Sequence, residues 1–195
     1  MVRYYQYSAN FDKNTEELFK NAKFLGEGHN GIVYSLPENK AIKIFQDKNI
    51  CREELQILLR VKKSKYFPKV YSYGEYYIVR EEIAGERLDH FIEKNGFSKE
   101  LALNIYKLIN EFHRLKFTKL DARCRDIYVD KNKKIRIIDP KQCYTRKVDY
   151  PRHLMKGLKG INILEEFLQE IEKIDSQKGA KWRRKINEYY EIRDK

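Results

Sequence analysis

The spacing of apolar positions changes along the chain, alternating in the first half and recurring at three and four in the second. Residues 14–22 (Asn-Thr-Glu-Glu-Leu-Phe-Lys-Asn-Ala) suit a short amphipathic helix, with Asn14 as cap and Glu17 three positions on. From Phe24 to Phe45 the pattern predicts antiparallel strands. A glycine-rich strand is followed by Ile32-Val33-Tyr34-Ser35-Leu36, a tight turn at Pro37-Glu38-Asn39, and Ala41-Ile42-Lys43-Ile44-Phe45. Residues 50–62 place Leu55, Leu58, Leu59 and Lys62 at helical spacing, and 70–74 and 76–80 read as two more strands. Ala84-Gly85-Glu86 then interrupts the pattern and marks a boundary. Beyond it, Ser98 caps a helix over 99–115, whose apolar stripe runs through Leu101, Ile105, Leu108, Ile109 and Phe112. Residues 127–129 and 135–138 flank Asp130-Lys-Asn-Lys133 as a β-hairpin, and the chain from Pro151 onward is helix-like with a basic end. The expectation is an α+β chain: an antiparallel sheet with one helix over residues 1–84, and a mostly helical part over 85–195.

Composition adds constraints on partners more than on fold. The 195 residues are 42% hydrophobic and 13% aromatic, enough for a sizeable core, so the mean hydropathy of −0.77 reflects a charged surface. Tyr71, Tyr73, Tyr76, Tyr77, Tyr189 and Tyr190 read as strand and helix packing. No stretch approaches the roughly 18 apolar residues of a membrane span, and no apolar signal-peptide core follows Met1. A cytoplasmic protein without membrane contact is the expectation. The net charge of +12 attracts polyanions such as nucleotides, nucleic acid or acidic proteins without choosing among them. Cys51, Cys124 and Cys143 are odd in number and widely spaced, which fits reduced thiols better than a disulfide frame or a zinc site.

Three groups of residues carry candidate chemistry. Gly26-Glu27-Gly28-His29-Asn30-Gly31-Ile32-Val33 is a G-x-G-x-x-G-x-V string between two strands, whereas a dinucleotide fold places such glycines between a strand and a helix. Missing Cβ atoms let backbone approach phosphates closely, although a ligand-free glycine hairpin has the same string. Ala41-Ile42-Lys43 follows on the strand that pairs with the second arm of this loop, so Lys43 is either a phosphate contact or an ordinary strand lysine. Glu54, eleven residues later on the predicted helix, is placed to pair with Lys43, with Glu53 as the neighbour it is most easily confused with. Asp121, Asp126 and Asp139 sit at turns and strand ends around the second hairpin; each alone is a common turn residue. Together they offer a hydroxyl-proton acceptor in Asp121 and a pair of metal-ligating oxygens in Asp126 and Asp139.

In this order and spacing the residues resemble the protein-kinase superfamily, specifically small bacterial (Bacillus-type) serine/threonine-protein-kinase-like proteins, over about residues 24–139. The resemblance implies a kinase-like two-lobe fold and ATP- and metal-dependent phosphoryl transfer, with Mg²⁺ or Mn²⁺, to protein Ser/Thr hydroxyls. It implies that Gly26, Gly28, Gly31 and Val33 cover the phosphates and that Ala41 and Lys43, backed by Glu54, hold them. Backbone at Glu81 to Ile83 would bind adenine. Asp121 would take the acceptor proton, with Arg123 near the transferring phosphate, and Asp126 and Asp139 would bind the metal.

The departures from that pattern carry their own expectations. Lys119-Leu120 replaces His-Arg, which removes the arginine that reads a phosphorylated activation loop. Asp126 replaces Asn, Arg123 replaces Lys, and Pro140-Lys141 replaces Phe-Gly, which implies a fixed loop. No Ala-Pro-Glu follows, and 56 residues after Asp139 imply an abbreviated C-terminal lobe with a reduced peptide platform. A small-molecule acceptor is therefore one alternative. A pseudokinase or nucleic-acid-associated module is another, with the basic run Lys178-Gly-Ala-Lys181-Trp182-Arg183-Arg184-Lys185 as its contact surface.

Overall fold

The computed structural model describes residues 9–193. The first alternating run forms three strands in meander order: β1 (Lys23–Gly28), β2 (Gly31–Leu36) and β3 (Lys40–Phe45). Glu38 and Asn39, at φ 63° and 55°, take the left-handed backbone that a type I′ turn requires and join β2 to β3. After a helix over Lys48–Arg60 (α2), β4 (Val70–Tyr73) and β5 (Tyr77–Glu81) complete an antiparallel five-stranded sheet of order β1-β2-β3-β5-β4.

Register divides this sheet into two faces. Leu36, Ile42, Ile44, Tyr77 and Val79 form a core cluster on one face, closed by Phe11, Leu18, Phe19 and Tyr34. Phe11, Leu18 and Phe19 belong to helix α1 (Lys13–Phe19) and its lead-in; this is the short helix read over 14–22, so the first unit has two helices where the expected architecture had one. The cap of α1 also differs from expectation. Asp12, not Asn14, accepts from the Thr15 N–H at 2.9 Å, and Tyr77, 65 residues away on β5, donates its hydroxyl to the same carboxylate at 2.9 Å. Those bonds hold the Asp12 carboxyl below its ordinary pKa.

Helix α2 (Lys48–Arg60) starts at Asp47, whose side chain accepts from Asn49 N–H. Its buried positions are Cys51, Glu54 and Leu58, one turn apart. Leu59, read from sequence as part of the apolar stripe, is 40% exposed. The inward stripe therefore contains a carboxylate, which apolar periodicity alone does not reveal.

The chain divides into two units between Ile83 and Ala84. The second opens with β6 (Glu86–Arg87), which pairs with the hairpin β7 (Ile127–Val129) and β8 (Ile135–Ile137) in a small antiparallel sheet. Gly85 makes this approach possible: at φ 118°, a Cβ there would lie 2.4 Å from the Val129 carbonyl oxygen. Helix α3 (Leu88–Asn95) was absent from the sequence expectation, since only Leu88 and Ile92 mark its buried side. Helix α4 (Lys99–Arg114) is as read: Ser98 Oγ accepts from Leu101 N–H at 3.3 Å, and Leu101, Ile105, Leu108, Ile109 and Phe112 are buried. Each such side chain contributes about 1.5–3 kcal/mol of transfer free energy, offset by the entropy of ordering it.

Three helices end the chain: α5 (Arg152–Gly160), α6 (Leu164–Ile174) and α7 (Ser176–Arg193). The basic run falls on α7, where Trp182 is buried and stacked on Phe167 at 6.2 Å between centroids. Arg183 binds Glu165 and Glu172, and Lys185 binds Asp149. The aromatic of that run is thus core packing, not a platform for bases. The three cysteines are buried and free, and burial pushes each thiol up to about 12. Among the described residues, no helix is long and apolar enough to cross a membrane.

Candidate functional site

In the first unit, the face of the sheet opposite the core cluster collects the sequence-selected residues. Antiparallel register puts Val33, Lys43 and Ile78 abreast, and Ser35, Ala41 and Arg80 abreast one step along. Helix α2 delivers Glu54 to this face. Lys43 Nζ and Glu54 Oε2 are 2.5 Å apart, with side chains only 8% and 3% exposed. Glu53, the sequence alternative, is exposed. In a pair this buried, removing either partner is costly, because it leaves the other without that contact in a poorly solvated site.

The glycines of the loop divide by what the protein itself requires. A Cβ on Gly31 would come within 2.0 Å of the Ile44 carbonyl oxygen, so the β2–β3 approach alone demands glycine there. Around Gly26 a Cβ would meet nothing within 4 Å, and around Gly28 only the Gly31 carbonyl oxygen at 4.0 Å. Packing accounts for one of the three glycines and leaves the other two open to an approaching ligand. Of the residues assigned to adenine, Glu81 lies in β5 with its N–H given to Lys69 C=O at 2.8 Å. Glu82 N–H bonds Asn39 C=O, and Glu82 accepts from Ser35 Oγ at 2.5 Å. Ile83 lies just past the end of β5.

The second unit carries the carboxylates. Asp121 is 4% exposed, and both its oxygens are enclosed by the first turn of α5. Oδ1 accepts from His153 N–H at 3.0 Å and Leu154 N–H at 3.3 Å; Oδ2 accepts from His153 N–H at 3.0 Å and meets His153 Nδ1 at 2.5 Å. Pro151, at the cap position of α5, provides no side-chain bond, so Asp121 caps that helix from 32 residues away. The expectation that Asp121 meets an acceptor hydroxyl directly does not suit this geometry, because no carboxylate oxygen remains exposed. His153 is what extends outward from it, with its side chain 26% exposed.

Asp126 and Asp139 flank the open end of the β7–β8 hairpin, one before β7 and one after β8, and Ile138 N–H bonds the Asp126 carbonyl at 3.1 Å. Asp126 is raised above the usual carboxylate range, first by burial and then by the Asp139 charge, with Arg123, Arg125 and Lys141 opposing. Lys141 Nζ sits 2.6 Å from Asp139 Oδ2. Two carboxylates that repel each other and draw a cation suit a divalent ion of the magnesium type, which takes one or two protein carboxylates and completes its shell elsewhere. Among the described residues, no cluster of three or more His, Cys, Asp or Glu side chains surrounds such an ion. Arg123 is exposed at the start of a short 3₁₀ turn, Cys124–Asp126.

Two residues of interest escaped the sequence reading. His153 has no motif around it; its role depends on a carboxylate far away in sequence. Arg80 had a signal, a cation inside the apolar run Tyr77-Ile78-Val79, and it is 6% exposed.

No family model matches the chain. It is 22% identical over 141 residues, 69% of its length, to the Bacillus subtilis (strain 168) protein named "Putative serine/threonine-protein kinase YrzF". The chain covers 65% of that relative's length, slightly under two thirds. The similarity supports a distant kinase-like relationship, and the α+β architecture, with its antiparallel sheet followed by a helical part, is compatible with it.

Proposed function

We propose that the protein transfers the γ-phosphoryl group of ATP to a hydroxyl, with serine or threonine of a protein as the acceptor named by analogy with its relative. The observation that carries this reading is the buried Lys43–Glu54 pair in the sheet whose β1 strand carries Gly26 and Gly28, which no packing explains. Lys43 would hold phosphate oxygens, Glu54 would keep the ammonium in place, and the glycine turn would lie over the phosphates. Asp126 and Asp139 would bind Mg²⁺ or Mn²⁺, which supplies charge neutralisation on the phosphates.

In the transfer, the acceptor oxygen bonds to the γ-phosphorus, the bond from that phosphorus to the bridging oxygen breaks, and ADP leaves with the electron pair. The hydroxyl proton goes to Nε2 of His153, whose Nδ1–H is held by Asp121. Asp121 thus acts through an imidazole that it orients, as a carboxylate does in an Asp–His pair. Arg123, exposed in the same loop, would add positive charge for the transferring group.

The test follows label from the γ-position of ATP to the protein and to a generic basic substrate, with Mg²⁺ and then Mn²⁺. Wild type is compared with Lys43→Met, Asp139→Asn and His153→Gln. Label in wild type that each variant reduces at least about tenfold supports the reading. Equal labelling of wild type and Lys43→Met would sink it.

A further inference from the structure

The sheet face that carries Lys43 holds a second cation that the reading above does not use. Arg80 stands opposite Ala41 of β3 and Val70 of β4, so its side chain leaves the sheet on the same side as Lys43 and Ile78. It is 6% exposed, and its Nε is buried with no hydrogen-bond partner. Among the described residues, no ion pair or side-chain hydrogen bond engages its guanidinium.

An arginine taken out of water without a counter-charge weakens the fold unless something else repays the loss of hydration. The carboxylates reaching this face are already engaged. Glu54 holds Lys43 and Glu82 accepts from Ser35 Oγ, each at 2.5 Å. Among the described residues, neither of these carboxylates pairs with Arg80. Arg80 and Lys43 are diagonal cross-strand neighbours, a span that two long side chains close easily. Lysine offers a point charge and arginine a planar fork of donors that matches phosphate oxygens.

We propose that Arg80 is a second anion-binding residue, which closes with Lys43 on the phosphate chain of the nucleotide. This rests on the nucleotide reading above and specifies which residue, beyond Lys43, holds the charge. The missing counter-ion of Arg80 is then the ligand, and the cost of burying the guanidinium in the unliganded protein is a stability sacrifice made for binding.

Calorimetric titration of the full chain with ATP, inorganic tripolyphosphate and adenosine tests this, using wild type, Arg80→Met, Arg80→Lys and Lys43→Met, with melting of each unliganded protein in parallel. Arg80→Met is expected to weaken ATP and tripolyphosphate by about tenfold or more while leaving adenosine within about twofold. Unliganded Arg80→Met is expected to melt above wild type, and Arg80→Lys, which keeps the charge but not the fork, to bind with intermediate affinity. The proposal is overturned if Arg80→Met binds ATP and tripolyphosphate like wild type, if adenosine weakens as much as ATP, or if wild type binds neither phosphate ligand. Arg80-dependent binding of tripolyphosphate with no preference for ATP keeps the anion site and removes the nucleotide reading. ATP binding that Lys43→Met weakens and Arg80→Met does not keeps the nucleotide reading and removes the anion site.

Discussion

Glu54 in the first unit and Asp121 in the second are buried to the same extent, 4% exposed each, and each reaches its partner through a helix. Glu54 sits on its own helix and meets an ammonium presented by a strand. Asp121 sits in a loop and meets the N-terminal amides and an imidazole of a helix presented to it. In the first case a full charge compensates a full charge. In the second, backbone dipoles and an imidazole share the work, and the imidazole carries the carboxylate's influence outward. Burial alone does not define a carboxylate's chemistry; the nature of its partners does.

The largest expected effect breaks the first arrangement. Glu54→Ala removes a buried carboxylate that meets the Lys43 ammonium at 2.5 Å and is expected to cost about 3–5 kcal/mol in urea denaturation. The double change Lys43→Met with Glu54→Met should recover most of that loss. A single-variant cost below about 1 kcal/mol would mean that the pair is solvated and the contrast with Asp121 is lost.

Gly31→Ala comes next, at about 1–3 kcal/mol, because its Cβ would run into the Ile44 carbonyl. Gly26→Ala, with open space around it, should leave the melting temperature within about one degree and still slow phosphoryl transfer. Equal stability loss in both variants would show that Gly26, like Gly31, is held by packing.

For the second arrangement, Asp121→Asn is expected to cost about 2 kcal/mol through the weakened cap of α5. His153→Gln should cost less than about 1 kcal/mol, since its ring is partly exposed, yet lower turnover as far as Asp121→Asn does. Turnover that falls in Asp121→Asn and stays intact in His153→Gln would remove the imidazole from the reaction.

The smallest effect concerns Asp126. Its pKa in the folded protein lies above the unfolded value, so its penalty is absent at low pH and develops as pH rises through the raised folded value. In chelator, the wild-type melting temperature should decline over that range, and Asp126→Asn should flatten the decline. Added Mg²⁺ should restore the wild type at neutral pH and affect Asp126→Asn less. Identical pH profiles for the two proteins would show that Asp126 is not held in a repulsive pair with Asp139.

Much of the scaffold was legible from local pattern. The β1–β3 meander follows from alternation and its turn residues, and α4 follows from Ser98 and an unbroken apolar stripe. Legibility ended where a residue's meaning depends on a distant partner. Asn14 had the better local signature, but Asp12 caps α1 because Tyr77 supports its carboxylate from across the sheet. Leu59 fits the helical period as well as Leu58 does, and only the packing of α2 on the sheet turns it outward. Trp182 looks like an exposed aromatic among cations until Phe167 is found stacked against it.

The β1–β3 meander, the second hairpin and helix α4 were determined by the sequence alone, which also nominated Lys43, Asp126 and Asp139 as candidates, because turn chemistry, side-chain period and residue type act over a few positions. Tertiary structure decided that Glu54 and not Glu53 meets Lys43, that Asp121 is enclosed behind His153, and that Arg80 is buried without a counter-charge. The reason in each case is the same: charge and solvation depend on groups brought close by folding, 11 residues apart for Lys43 and Glu54 and 32 for Asp121 and His153, and separation along the chain does not reveal which groups those will be.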